Sequence, residues 1–422
     1  MPSTGDILPL TIDKPAAGGR MIARADGLVV LVAGAIPGER VRAKIERVGK
    51  GVAYAAAIDI EQPSGDRRAA GADPLCGGCL YAHIAYPRQL ELKSLVIADA
   101  FTRIGRIELP APVRVAPSPE AGYRMRARLH VRGRLVGFFR EGTHEVCDAR
   151  QTRQLLPATS DALDRLVAAM HSLGVGGEGG VREIELAENL DASHRVAYLD
   201  IATAIHARLL ERLAATDGLT GLASPGTAHG DVHVTDSIVI EGHPPIALRR
   251  HVLAFFQGNR YLVNQLVAHV VAQVPSGSDV VDLYAGVGVF AVAAAAVRGA
   301  HVKAVEGDRI AASDLVTNAS ATNGAVVAVH ESVEQFVGRP TADPMAATFL
   351  VDPPRTGMSR EALDGICRLQ APRIVYVSCD VATLARDARR LAGGGYTLAR
   401  VDAFDLFPNT PHVETVIVFQ KS

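Results

Sequence analysis

The spacing of apolar and polar residues changes character twice along the chain. Up to about residue 62 it runs in short apolar or alternating stretches, Leu28–Ala33, Val41–Ile45 and Val52–Ile60, broken by Gly18-Gly19, Pro37-Gly38 and Gly49-Lys50-Gly51. Short strands cut by such turns predict a small β-barrel. Residues 63–74 are small, polar and turn-rich and read as a linker. Arg88–Ile104 places Leu92, Leu95, Val96 and Phe101 at helical spacing, predicting a helix able to pack with a later domain. From Tyr123 to Phe139 the period falls to two, as in a hairpin turning near Gly133. Tyr123, Met125, Ala127, Leu129 and Val131 share one face, and Arg124, Arg126, Arg128, His130 and Arg132 share the other.

Beyond about His251, helical segments alternate with short apolar strands: Asp279–Leu283, His301–Glu306, Ala325–His330, Thr348–Val351, Arg373–Val377 and Thr415–Phe419. That alternation predicts a doubly wound, mostly parallel α/β sheet. The expected organisation is a β-barrel over 1–62, a central α+β domain over 63–250 and the α/β domain over 251–422.

A chain of 422 residues can bury several cores, and 48% apolar with 21% charged residues is ordinary for a soluble protein. No run of about 18 uncharged apolar residues occurs, and Met1–Leu10 lacks a secretory signal, so the expected location is the cytoplasm. The net charge of −1 excludes a globally basic nucleic-acid binder. Locally the balance differs: nine arginines but only Glu108 and Glu120 lie between Arg103 and Arg140. The arginine face of the hairpin has no acid within its own strand, which favours phosphate contact over a merely solvated face. Five cysteines, an odd number, argue against a disulfide framework and for metal binding or catalysis.

The candidate chemistry gathers in the last domain. The strand ending at Leu283 runs into Tyr284-Ala285-Gly286-Val287-Gly288 and an alanine-rich helix, a turn suited to close approach of a ligand. Glu306 ends the next strand, where an acid can accept hydrogen bonds from ribose hydroxyls. Asp352-Pro353-Pro354-Arg355 makes a stiff loop over the same sheet edge. No phosphate-loop motif is present, so an NTPase is a poor reading. Cys379 follows the strand Arg373–Val377, whereas Cys367 reads as a buried small hydrophobe. Glu414 closes Pro411-His412-Val413-Glu414 just before the last strand. A thiolate and a carboxylate suit one demanding reaction. Carbon 5 of uracil becomes nucleophilic only after a thiolate adds to carbon 6, and a base must then remove the carbon 5 proton.

The set Asp-Leu-Tyr-x-Gly-x-Gly (282–288), Asp-Pro-Pro-Arg-x-Gly (352–357), Val-Ser-Cys-Asp (377–380) and Pro-His-Val-Glu (411–414) resembles the S-adenosylmethionine-dependent RNA 5-methyluridine methyltransferases. The resemblance implies a Rossmann-like class I methyltransferase domain, Cys379 as nucleophile, Glu414 as base, and Gln257, Tyr284, Glu306 and Asp352 as contacts to S-adenosylmethionine. Val289 stands where the family often has Asn. Ile36-Pro37-Gly38-Glu39-Arg40-Val41 makes the N-terminal barrel similar to a TRAM domain, an RNA-binding module of the branch that modifies large-subunit rRNA. That branch carries Cys-x5-Cys-Gly-Gly-Cys with a distant fourth cysteine on a 4Fe-4S cluster. Here Cys76, Cys79 and Cys147 match, but Ala70 replaces the first cysteine. Three outcomes stay open: a cluster with Asp66, Asp73 or His83 as fourth ligand, a lost cluster, or a zinc site completed by His83. The expected activity is uridine-5 methylation of RNA, most simply 23S rRNA. The rivals are tRNA methylation, a non-catalytic ribosome-assembly factor, and methylation of an exocyclic amine, which needs no cysteine.

Overall fold

A computed structural model describes residues 2–175, 180–202, 205–339 and 348–421. The N-terminal sheet has the strand order Ile7–Thr11, Arg40–Gly49, Val52–Gln62, Leu28–Ala33, Met21–Ala25, Lys14–Pro15. It curls far enough for Ile7–Thr11 to touch Met21–Ala25 around a core that includes Val30, Val41 and Ile45. Glu39 of the Pro-Gly turn is fully buried, and its carboxylate accepts from Ile36 N, Ser64 N and both Nε and Nη2 of Arg67. Burial would raise its pKa, but the guanidinium and the amides outweigh that and hold it below the usual carboxylate range. Residues 63–74 are therefore tied to the barrel rather than free, through Arg67.

The central sheet runs Val146–Asp148, Leu135–Phe139, Arg126–Arg132, Val181–Glu188, Arg195–Ile201, Gly221–Ser224, Thr227–Gly230. The helix Pro157–Ser172 covers it through Leu163, Leu166, Val167 and Met170, spaced three and four residues apart. The apolar face read from sequence is buried as its period requires: Tyr123, Met125, Ala127, Leu129 and Val131 are all at most 4% exposed. The opposite face differs from expectation. Arg128 pairs with Glu185 at 2.6 Å, Arg126 approaches it at 3.5 Å, and His130 lies 3.2 Å from Glu183. Both acids belong to the neighbouring strand Val181–Glu188, so this face is largely paired within the sheet.

The third sheet has eight strands in the order Val326–His330, His301–Glu306, Asp279–Leu283, Thr348–Val351, Arg373–Ser378, Glu414–Lys421, Tyr396–Phe404, Val115–Ala116. Only Glu414–Lys421 runs antiparallel to its neighbours. Apolar clusters cover both faces, as a doubly wound sheet requires. The hairpin of His233–Ile238 and Ile246–His251 shares one of them, packing Ile238 and Leu248 with Val263 and Val267 of the following helix. The early helix, Tyr86–Ala100, extends through a π-helical turn over Phe101–Gly105 and buries Ile97 and Phe101 in the other.

Lys93 of that helix and Asp405 form an ion pair with both side chains fully buried, and Tyr86 donates to the second Asp405 oxygen. Removing one member of such a pair strands a charge out of water. Asp405→Ala should cost about 3–5 kcal/mol of stability in chemical denaturation, and Lys93→Met combined with Asp405→Leu should recover much of it. Equal losses in the single and double variants would show that the pair carries no such coupling.

Candidate active site

The carboxyl ends of the parallel strands deliver the predicted residues to one edge. Tyr284 follows Leu283, Glu306 ends its own strand, Asp352 follows Val351 and Cys379 follows Ser378. The reversed strand begins where the others end: Ser378 is opposite Thr415, which sets Cys379 and Glu414 at the same corner. Gln257 enters from the segment before the helix Val263–Ala272 and donates to Asp352 Oδ2 at 3.0 Å. All six line one cavity of about 630 Å³.

The glycine turn is built tightly. Gly288 has φ +91°, and a Cβ there would meet Leu315 Cδ1 at 2.6 Å, so any other residue would be strained and would displace Leu315. Tyr284 itself sits at φ +61°, a left-handed conformation costing a non-glycine residue about 1–3 kcal/mol. Such strain is characteristic of functional turns. Glu306 Oε2 accepts from Gly286 N at 2.7 Å and Oε1 from Asp308 N at 2.6 Å, which orients the carboxylate and leaves further lone pairs for ribose hydroxyls. Beneath the turn Asp282 is fully buried, and neither of its oxygens makes a hydrogen bond among the described residues. These residues fit an adenosyl cofactor: two oriented acids, a close-approach turn, and carboxyls that a cation would satisfy. Val289, the departure from the usual asparagine, is buried in the apolar cluster and does not line the cavity.

The electrostatics are dominated by loss of water. Burial, then the neighbouring Glu414 carboxyl, pushes the Cys379 thiol up to about 12, while Arg355 opposes the rise. The helix Val381–Gly393 begins two residues later, but its N-terminal field does not overcome that desolvation. Glu414 is only 2% exposed, and burial together with Asp352 raises it well above the usual range, again against Arg355. Burial raises Asp352 to about 7, with the Gln257 amide partly offsetting. At neutral pH the resting Cys379 thiol is therefore protonated. Arg355, Phe255 and Phe407 also line the cavity and carried no assigned role in the sequence reading. Arg355 was visible within Asp-Pro-Pro-Arg; nothing local marked the two aromatics. Arg124 and Arg126 reach the cavity from the arginine face, whereas Arg128, His130 and Arg132 do not.

Residues 231–422 match the tRNA (uracil-5-)-methyltransferase family model, and residues 3–58 match the TRAM domain. The 23S rRNA (uracil(1939)-C(5))-methyltransferase RlmD of Methylococcus capsulatus is 32% identical, covering 97% of this chain and 96% of that protein. An uncharacterized RNA methyltransferase, tlr0942, of Thermosynechococcus vestitus is 30% identical over 99% of both. The chain belongs to the RNA (uracil-5-)-methyltransferases. It is an S-adenosylmethionine-dependent enzyme that methylates carbon 5 of uridine in RNA. Its fold is similar to that of the Pyrococcus abyssi tRNA (uracil-54, C5)-methyltransferase crystallised with S-adenosyl-L-homocysteine, with a TM-score of 0.74, 23% identity, and 98% and 100% of the two chains covered.

For this methyltransferase the metal expectation does not hold. Cys76 and Cys147 are joined in a disulfide, their Cα atoms 5.9 Å apart, which also corrects the argument from an odd cysteine count. Cys79 is a free, buried thiol raised to about 11 by burial and then by Asp73. The proposed fourth ligands are engaged elsewhere. His83 is buried with Nε2 3.3 Å from Ala35 O, Asp73 pairs with Arg140, and Asp66 lies 3.6 Å from Arg88. Among the described residues no group of three or more His, Cys, Asp or Glu is arranged to hold a metal ion. The residues present do not fit a 4Fe-4S cluster or a zinc ion.

With a thiol near 12, the reactive thiolate grows about tenfold per pH unit across the neutral range. The rate of covalent attachment to a 5-fluorouridine-substituted RNA should therefore rise with a slope near one on a logarithmic plot between pH 7 and 9. A rate that is flat over that range would show that the thiolate is already formed when RNA is bound.

Proposed function

We propose that the enzyme methylates a uridine of 23S rRNA in the cytoplasm through a covalent bond between Cys379 and carbon 6 of the base. The observation that carries this reading is the meeting of Cys379 and Glu414 at the corner where the reversed strand begins, inside the cavity that also holds Glu306 and Asp352. The rRNA assignment rests on relatives bearing that name at 30–32% identity across nearly the whole chain and on the TRAM match.

Gln257, Tyr284, Glu306 and Asp352 hold the cofactor in this reading, which supplies an electrophilic methyl group when bound. A target uridine must leave its stack to reach so enclosed a thiol. Cys379 loses its proton to solvent, its sulfur adds to carbon 6, and the ring becomes an enolate with its negative charge on the carbon 4 oxygen. Arg355 is the cation nearest that chemistry in the cavity lining and is suited to offset the charge. Carbon 5 then bonds to the methyl group, whose bond to the sulfonium sulfur breaks and leaves a neutral thioether. Glu414, as carboxylate, then removes the carbon 5 proton; the released electron pair forms the carbon 5–carbon 6 double bond and expels the Cys379 thiolate.

Glu414→Gln should still transfer methyl but trap a protein–RNA adduct that survives denaturing electrophoresis, and Cys379→Ser should form none while still binding cofactor. Turnover by Cys379→Ser at the native rate would remove the covalent mechanism. Mass-spectrometric mapping of 5-methyluridine in cells with and without the gene should show the loss of one rRNA methyl. Loss from tRNA instead would move the substrate, and no loss in either pool would favour an assembly role.

A further inference from the structure

A second cavity, of about 770 Å³, lies on the other side of the Asp352–Gly357 loop. Tyr284 and Pro354 line both cavities, so the two are separated by a single wall. Its lining carries Arg360, Arg386, Arg389 and Arg390 against the acids Glu334 and Asp387. Both acids are already committed. Glu334 accepts from the Ser359 hydroxyl at 2.7 Å, and the fully buried Asp387 accepts from Met358 N, Tyr376 OH and Arg386. Arg390 is held by Asp364 at 2.6 Å, with Arg360 3.7 Å from the same residue. Arg389 is exposed and has no acidic partner within 4 Å among the described residues. The cavity therefore presents a surplus of guanidinium groups beside the hydroxyl of Thr356.

We propose that this cavity is a phosphodiester subsite holding the backbone of the RNA strand next to the target uridine, with Arg389 and Arg360 as its principal contacts. The inference rests on the reading of the neighbouring cavity as the place where the uridine reacts. A base inserted on one side of the Tyr284–Pro354 wall leaves its own strand running past the other. Adjacent phosphates of an extended strand lie within one residue's reach of such a wall. Guanidinium forks match phosphate oxygens in pairs, and a concave cluster of them focuses positive potential on a polyanion. The contact is to backbone and carries no base preference, so it positions the strand rather than selecting the uridine.

The test compares the wild type with Arg389→Glu, Arg360→Glu and Arg389→Lys. One probe is a fluorescein-labelled oligouridylate titrated over a range of salt; the other is methyl transfer to undermodified 23S rRNA. Each glutamate variant should weaken oligouridylate binding about tenfold, reduce the logarithmic salt slope by about one, and raise the KM for RNA with little change in kcat. Cofactor binding should be unchanged, and Arg389→Lys should keep most of the affinity. Unaltered affinity and salt slope in both glutamate variants would overturn the subsite, as would a fall in kcat alone, which would mark these residues as supports of the catalytic loop. If the wild type transfers no methyl to rRNA, the rRNA reading fails while the oligouridylate titration still decides the subsite.

Discussion

Withdrawing a thiol and several carboxyl groups from water at one sheet edge is the constraint on which the rest of the molecule turns. Asp282, Asp352 and Glu414 each have raised pKa values chiefly because they are desolvated; a neighbouring acid raises Asp282 and Glu414 further, Arg355 opposes the rise at Glu414, and the Gln257 amide opposes it at Asp352. Ionised together they would repel strongly in so dry a place, so burial and mutual repulsion both favour the protonated forms. The arrangement is tolerable because its occupants are not permanent solvent substitutes. In the proposed reaction a sulfonium cation and a ring that develops negative charge would bring the missing complements, and each group would gain its useful charge when that partner is present.

The loop carrying Asp352 and Arg355 has to be held rigidly for this balance to work, and the helix that follows Cys379 holds it. Asp387 accepts from Met358 N at 2.9 Å and from Tyr376 OH at 2.8 Å, Arg386 donates to Thr356 O at 3.0 Å, and Thr383 Oγ1 donates to Arg355 O at 3.2 Å. Gly357 is required within this clamp: at φ +74° a Cβ would fall 2.5 Å from Arg386 Nη2. The same helix thus fixes Cys379 at its start and the Asp352–Gly357 loop one turn later. Relative position of thiol and guanidinium is set by one rigid element instead of by two loops, which is how a site keeps its geometry to a fraction of an ångström.

How much was legible in the sequence follows from where the information lay. Asp279–Leu283, His301–Glu306 and Thr348–Val351 were readable to the residue because central parallel strands are buried on both faces and end abruptly in glycine, acid or proline. Tyr396–Phe404 was not, since its alternating charged residues look like an exposed loop, and Val115–Ala116 joins the sheet from nearly three hundred residues away. The arginine face failed as an argument for a different reason. Its acids lie 57 residues off in sequence, and pairing across strands is invisible to a reading confined to one strand. Five of the six candidate residues could be placed at one edge because motif order fixes which strand ends they occupy, whereas Gln257 enters from the segment before the helix Val263–Ala272.

The cysteine segment shows the converse, a motif whose local spacing suggested one chemistry while its surroundings supply another. Its loop is held by ordinary means: Gly77 N donates to Phe139 O, Glu141 N donates to Leu75 O, Asp73 pairs with Arg140, and Cys76 is bonded to Cys147. With so many ties, no metal is needed to fix the loop on the central sheet. Its far end is equally well anchored. Tyr81 N donates to Asn409 O, and Asn409 Oδ1 accepts from both Arg68 and Gln89. Asn409 lies five residues before Glu414, in the segment that turns the chain back into the reversed strand. The cysteine loop therefore bridges the central sheet, through Phe139 and Arg140, to the segment that precedes Glu414. Its structural duty is to keep those two in register, and a covalent link within the loop serves that duty as well as a cluster would.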